Sequence, residues 1–111
     1  MKVLFDTGST WLWLPSSDCP KTECTRGHYD WRKSVDFVDK KKHKDITYGM
    51  GYIKGGIVSD KVSLYNFSAD TSINFLLIDH AKDLTQLYSD GLVGLGPATD
   101  KNVKWNFMHQ L

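Results

Sequence analysis

The sequence predicts an all-β fold, and three observations carry the prediction. Nine glycines are spread along the 111 residues, short apolar or alternating runs are bounded by turn residues, and no long helical pattern alternates with them. A chain of 111 residues forms at most one domain, large enough for a core but with much surface for its volume. Hydrophobic residues make up 41% and aromatics 13% of the chain, which excludes disorder throughout. Fourteen Lys and Arg against 13 Asp and Glu leave a formal charge of +1, so no overall field draws the chain to nucleic acid or to an anionic membrane. No apolar run approaches the ~18 residues of a spanning helix, and the segment before Asp6 is too short for the apolar core of a secretory leader. No internal repeat or low-complexity linker is present.

Taken in order, Val3-Leu4-Phe5 reads as a buried strand, Thr7 to Thr10 as a tight turn, and Trp11-Leu12-Trp13-Leu14-Pro15 as a second apolar run closed by proline. Asp6 therefore stands at a strand end. Gly8 permits a close backbone approach or a positive φ, while Thr7 and Ser9 offer hydroxyls that can orient the Asp6 carboxylate. On the tetrapeptide alone, Asp6-Thr7-Gly8-Ser9 is more readily a plain turn than a site.

Cys19 and Cys24 form a C-x4-C pair with only His28 following closely, too few ligands for a structural zinc site. The Asp, Pro and Lys content of Ser17 to Cys24 fits a small disulfide-closed loop, which implies an oxidising compartment and fixes local geometry more than it adds stability. Two buried thiols are the alternative. Arg26 to Lys33 reads as a loop with aromatic anchors. Val35 to Asp39 alternates loosely like a strand that Lys40-Lys41-Lys42-His43-Lys44 then breaks. That run reads as a solvated turn or exposed edge rather than a nucleic-acid contact, since no aromatic residue interleaves with it.

Ile46 to Ile53 has the strongest hairpin pattern: β-formers on both arms, Gly49 and Gly51 at the tip, and Tyr48 and Tyr52 at the shoulders. A mobile tip is expected, with Tyr48 large enough to touch what lies beneath. Gly55 to Leu64 continues as a kinked or bulged strand. Asn66-Phe67-Ser68 fits the N-glycosylation pattern, which matters only in a secreted chain. Ile73 to Ile78 is a buried-strand candidate, followed by a polar stretch from Asp79 to Ser89. Asp90-Gly91-Leu92-Val93-Gly94-Leu95-Gly96-Pro97 lacks the Lys-Ser/Thr of a phosphate loop and does not fit G-x-G-x-x-G, which argues against nucleotide binding. Val103 to Leu111 reads as a short amphipathic helix.

Phe5-Asp6-Thr7-Gly8-Ser9-Thr10-Trp11-Leu12-Trp13-Leu14-Pro15-Ser16 resembles the catalytic segment in the N-terminal lobe of pepsin-like aspartic proteases, F-D-T-G-S-S-x-L-W-V-P-S. Three further segments follow in the family's order. The C-x4-C loop stands where these lobes carry a small disulfide, Ile46-Thr47-Tyr48-Gly49-x-Gly51 with Gly55-x4-Asp60-x-Val62 resembles the flap and its continuation, and Asp90 to Gly96 resembles D-G-I-L-G-L-(A/G). The resemblance spans Val3 to Gly96. It implies that residues 1–111 are a partial N-terminal lobe, a double-psi-type β-barrel lobe with a flap hairpin.

The implied activity is aspartic endopeptidase, with no cofactor or metal and a peptide or protein as substrate. Asp6 would be one of two carboxylates that share a proton and activate a water to attack the peptide carbonyl. Thr7, Gly8 and Ser9 would support the catalytic loop, with Ser9 bonded to the Asp6 carboxylate. Tyr48, Gly49, Met50 and Gly51 would meet substrate from the flap, Tyr48 would contact Trp13, and Trp13 and Leu92 would line a pocket. The family's habit and the cysteine pair imply secretion or an acidic endolysosomal or vacuolar lumen.

The chain departs from the family at Met50 and Tyr52, where small hydroxyl residues are usual. It also contains no second D-T-G or D-S-G, and family members are about three times as long. A truncated chain is therefore expected, inactive alone, with a second lobe supplying the other Asp. The competing readings are a homodimeric retropepsin-like protease and a non-catalytic peptide-binding relic.

Overall fold

The apolar runs of the sequence fold into the strands that surround Asp6. The structure, a computed structural model, describes residues 2–24, 27–48, 51–64, 67–68, 71–83, 90–99, 101 and 103–110. In chain order the strands are β1 Val3–Asp6, β2 Leu12–Pro15, β3 Val38–Tyr48, β4 Gly51–Asp60, β5 Ser63–Leu64, β6 Phe67–Ser68, β7 Ile73–Lys82 and β8 Gly91–Gly94. A 3-10 turn at Trp31–Lys33 lies between β2 and β3, and helix α1 spans Phe107–Gln110. Six strands make one mixed sheet in the order β1-β8-β2-β7-β4-β3, while β5 and β6 pair separately. β1 runs parallel to β8 and β2 parallel to β7; the other neighbours are antiparallel. The all-β expectation holds.

The two-residue period of the strands places apolar side chains on both faces of the sheet. Trp13, Ile53, Ile57, Leu76, Ile78 and Leu92 meet on one face with the cystine Cys19–Cys24. Leu12, Val58, Ile73, Phe75, Leu77 and Val93 meet on the other, where Phe107 of α1 joins them. The disulfide reading of the two cysteines is thus the one observed, and both residues are buried.

The bulge foreseen around Gly55-Gly56 occurs where β4 meets β7. Gly55 pairs with Ile78 and Lys54 with His80, which leaves Asp79 as a surplus residue on β7. Gly55 also lies against the Leu77 carbonyl too closely for any Cβ. Beyond the bulge Ala81 returns to the same face as Ile78, opposite Ile53.

Four expectations need correction. β1 is not buried: it is the terminal strand of the sheet, and Leu4 and Phe5 are 46% and 50% exposed. The lysine run does not end its strand, because β3 continues through it to Tyr48. Lys41 takes a φ of 56° and its N–H donates to the Asp39 carboxylate at 2.8 Å, so a bulge between Asp39 and Lys42 absorbs the irregularity. The lysines then occupy an exposed edge, the other half of the sequence reading. Likewise, β7 extends beyond Ile78 to Lys82, taking four residues from the supposed polar stretch because each pairs or bulges against β4. Finally, the tail helix is a single turn, Phe107–Gln110, whose only buried residue is Phe107. Asn66 of the glycosylation pattern lies outside the described residues.

Buried polar groups join these elements. The Asp60 carboxylate accepts hydrogen bonds from Tyr29 Oη, from Ser34 Oγ at 2.8 Å and from the Lys61 N–H at 2.7 Å, tying the 29–34 loop to the end of β4. Gln110 grips β7, accepting from the Asn74 N–H at 2.7 Å and donating to the Asn74 carbonyl at 2.9 Å.

Candidate active site

Asp6 is the last residue of β1 and pairs in parallel with Gly94 of β8. Its carbonyl accepts the Leu95 N–H at 2.8 Å, which fixes the backbone at the strand end. The chain then turns. The Gly8 N–H donates to Asp6 Oδ1 at 2.9 Å, so the turn itself orients the carboxylate. Asp6 is half-buried, and Thr7 and Gly8 are exposed beside it.

Leaving the turn, the chain presses against the end of β8. The Ser9 carbonyl accepts the Gly96 N–H at 2.8 Å, and the Trp11 carbonyl accepts the Gly94 N–H at 2.9 Å. This approach requires glycine. A Cβ on Gly94 would stand 2.6 Å from Trp11 N and 2.7 Å from the Ser9 carbonyl, and one on Gly96 would stand 2.9 Å from the same oxygen. Asn106, fully buried, closes the arrangement: its Nδ2 donates to the Gly96 carbonyl at 2.9 Å, its Oδ1 accepts the His109 N–H at 3.0 Å, and its backbone bridges to Trp11. The Asp6 turn is therefore held by β8 on one side and by α1 through Asn106.

Ser9 behaves differently from its expected role. Its Oγ is buried without a hydrogen-bond partner among the described residues, while the Gly8 N–H is the donor that reaches the Asp6 carboxylate. The physical reason is local: the N–H two residues after an Asp meets its side chain in a tight turn, whereas the Ser9 backbone is drawn toward Gly96.

The hairpin stands where the sequence placed it, with Ile46 opposite Ile53, Thr47 opposite Tyr52 and Tyr48 opposite Gly51. The Tyr48 side chain, Gly49 and Met50 lie outside the described residues, and with them the expected contact of Tyr48 to Trp13. Gly51 is buried against the Lys82 carbonyl, closer than a Cβ allows. Trp13 and Leu92 are register neighbours on β2 and β8, 2% and 5% exposed, and pack in the core cluster with Cys19 and Cys24.

Among the described residues, two open cavities lie elsewhere. One, of about 270 Å³, is walled by Val3, Leu14, Tyr29, Asp60 and Phe107 among others. The second, of about 250 Å³, includes Asp18, Trp31, Asp39, His43 and Asp79. Neither includes Asp6. Among the described residues no group of three His, Cys, Asp or Glu is placed to hold a metal ion. Chemically, the turn offers one oriented and accessible carboxylate, able to accept or donate a proton to a bound water.

Sequence reasoning overlooked Asn106 and Gln110, and named Asp60 only within the segment after the hairpin without its role of tying the 29–34 loop to β4. For Asn106 a signal existed, because an Asn directly before the short helical tail is a helix N-cap pattern.

Comparison with known proteins agrees with the geometry. The profile of the eukaryotic aspartyl protease family matches residues 1–110. Plasmepsin IV of Plasmodium falciparum is 36% identical over 98 residues, 84% of this chain and 21% of that protein. A probable aspartic-type endopeptidase CTSD of Arthroderma otae is 33% identical over 102 residues, 88% of this chain and 26% of the relative. Chymosin of Camelus dromedarius is 34% identical over 95 residues, 84% of this chain and 25% of the relative. The chain thus spans about a fifth to a quarter of the length of these relatives. With its carboxylate turn, its hairpin and its glycine-bearing brace strand in the family's order, the chain belongs to the eukaryotic aspartyl proteases.

Proposed function

We propose that this chain is one lobe of a two-lobed aspartic endopeptidase in which Asp6 is one of the two catalytic carboxylates. The observation that carries the reading is the Asp6 turn, with its carboxylate oriented by the Gly8 N–H and its backbone held by Leu95 and Gly96. A water between Asp6 and a second carboxylate would lose a proton to one of them as it attacks the peptide carbonyl, while the other, protonated, donates to the carbonyl oxygen. One carboxylate alone supplies half of that exchange.

The second Asp would come from a lobe outside these 111 residues. Leu4 and Phe5, half exposed on the terminal strand that leads into Asp6, offer apolar surface beside the site for such a lobe to cover. The hairpin of β3 and β4 would lie over an extended peptide, with Tyr48, Gly49, Met50 and Gly51 facing it and Trp13 and Leu92 beneath. The cystine supports residence in an oxidising compartment, outside the cell or in an endolysosomal or vacuolar lumen.

The test is proteolysis at acidic pH. A polypeptide that joins this chain to a second lobe bearing D-T-G or D-S-G cleaves a denatured protein substrate, and Asp6→Ala lowers the rate about 10²–10⁴-fold. The 111-residue chain alone is inactive and sediments as a monomer. Acid proteolysis by the purified chain, abolished by Asp6→Ala, would overturn the two-lobe reading, and a sedimenting dimer would then identify the homodimeric alternative.

A further inference from the structure

β3 is the outermost strand of the six-stranded sheet, with β4 as its neighbour on one edge and no described strand on the other. Its sequence, VDKKKHKDITY, carries four lysines and two aspartates, and residues 39–45 are all exposed. The bulge between Asp39 and Lys42 sets the phase of the strand beyond it. Lys42 lies opposite Ile57 and Ile46 opposite Ile53, so Lys42, Lys44 and Ile46 share one face. On that face two half-buried indoles, Trp11 and Trp105, stack with centroids 5.9 Å apart. The Lys42 ammonium stands 5.8 Å from the Trp105 ring, and that of Lys44 stands 5.7 Å from Trp11. Of the nearby acids, Asp39 is engaged by the Lys41 N–H, and Asp45 lies opposite Lys54 on the other face.

We propose that the outer edge of β3 takes up an extended acidic segment of a polypeptide as a seventh strand of this sheet. Backbone N–H and C=O groups along the free edge supply the pairing, and side chains at alternate positions of the incoming strand fall on the Lys42–Lys44 face. Carboxylates at those positions meet the two ammoniums, and their aliphatic stems lie toward the Trp11–Trp105 stack. A second copy of this chain is disfavoured there, since β3 against β3 sets lysine against lysine. An acidic strand turns the same charges into attraction. A nucleic acid or sulfated glycan would use the ammoniums but leave the strand's hydrogen-bonding edge unused.

The experiment is calorimetric titration of the 111-residue chain with a short synthetic peptide of alternating Glu and Val. Saturable binding is expected, weakened by added salt and about tenfold weaker for the Lys42→Glu/Lys44→Glu variant. The same peptide with alternate amides N-methylated keeps its charge but lacks the donors, and is expected not to bind. That comparison uses an unchanged protein, so it stands even if the double variant misfolds. Absence of binding overturns the proposal. So does equal affinity of the N-methylated peptide or tighter binding of an oligonucleotide, either of which marks a polyanion surface instead. Binding is read without proteolysis, so its outcome is separate from that of Asp6 chemistry.

Discussion

Gly94 and Ser9 are in backbone contact: a Cβ on Gly94 would lie 2.7 Å from both the carbonyl carbon and the carbonyl oxygen of Ser9. The β8 strand and the Asp6 turn therefore share one position that no larger residue fits. Gly94→Ala is expected to destabilise the lobe by about 1–3 kcal/mol, the cost of forcing a methyl group into a filled site. Because the displaced neighbour is Ser9 backbone, the Asp6 turn moves as well. Urea unfolding measures the first effect. A lowered kcat in the polypeptide that joins this chain to a second lobe, beyond any loss of folded protein, measures the second.

Asn106 makes its bonds where water does not reach. Asn106→Ala leaves the Gly96 carbonyl without its donor and the first turn of α1 without its cap. The expected loss is about 1–3 kcal/mol, read as a lower urea midpoint with an unchanged slope. A gain in midpoint, or no change, would show that the clasp contributes nothing.

Acid acts on the lobe through Asp18. The indole N–H of Trp31, first, and the guanidinium of Arg32, second, hold this carboxyl below its usual 3.8, with bonds of 3.0 Å and 2.9 Å. A lowered value in the folded state means that the folded chain binds this proton less readily than the unfolded one. The contribution is present above pH 3.8 and is lost as pH falls through the lowered value. Solvent screening keeps it small at so exposed a group. In Asp18→Asn the acid limb of the stability curve is expected to be shallower than in the parent, and equal limbs would remove Asp18 from the account.

The sequence was a good guide wherever strand pattern and burial coincide. Leu12 to Pro15, Ile73 to Ile78 and the hairpin arms from Ile46 to Ile53 are strands in the structure because each alternates or stays apolar between turn residues. Val3 to Phe5 looked the same, yet Leu4 and Phe5 are half exposed, since local sequence does not encode whether a strand has one neighbour or two. The Lys40–Lys44 run misled for the opposite reason: an outermost strand tolerates charge that an interior strand would not. The tetrapeptide marked a turn at Asp6 to Ser9, and only the hairpin and Asp90 to Gly96 segments beside it made Asp6 a candidate site residue. Asn106 carried a helix-cap signal, but its clasp did not show, because its bond to Gly96 and its bridge to Trp11 exist only after distant segments meet.

The surplus residue Asp79 gives β7 a parity. Up to Ile78 the even-numbered positions point to the cystine side of the sheet; after Asp79 the odd-numbered Ala81 does so, and His80 and Lys82 stay in solvent. Paired without that bulge, the same residues would set His80 where Ala81 now packs against Ile53 and put Lys82 on that side as well. The far end of β7, which pairs with the hairpin beside its tip through Tyr52 and Lys82, thus depends on that bulge. Deleting Asp79 would leave a regular strand with Ala81 still opposite Ile53, whereas closing the bulge with Asp79 kept would turn the layer inside out.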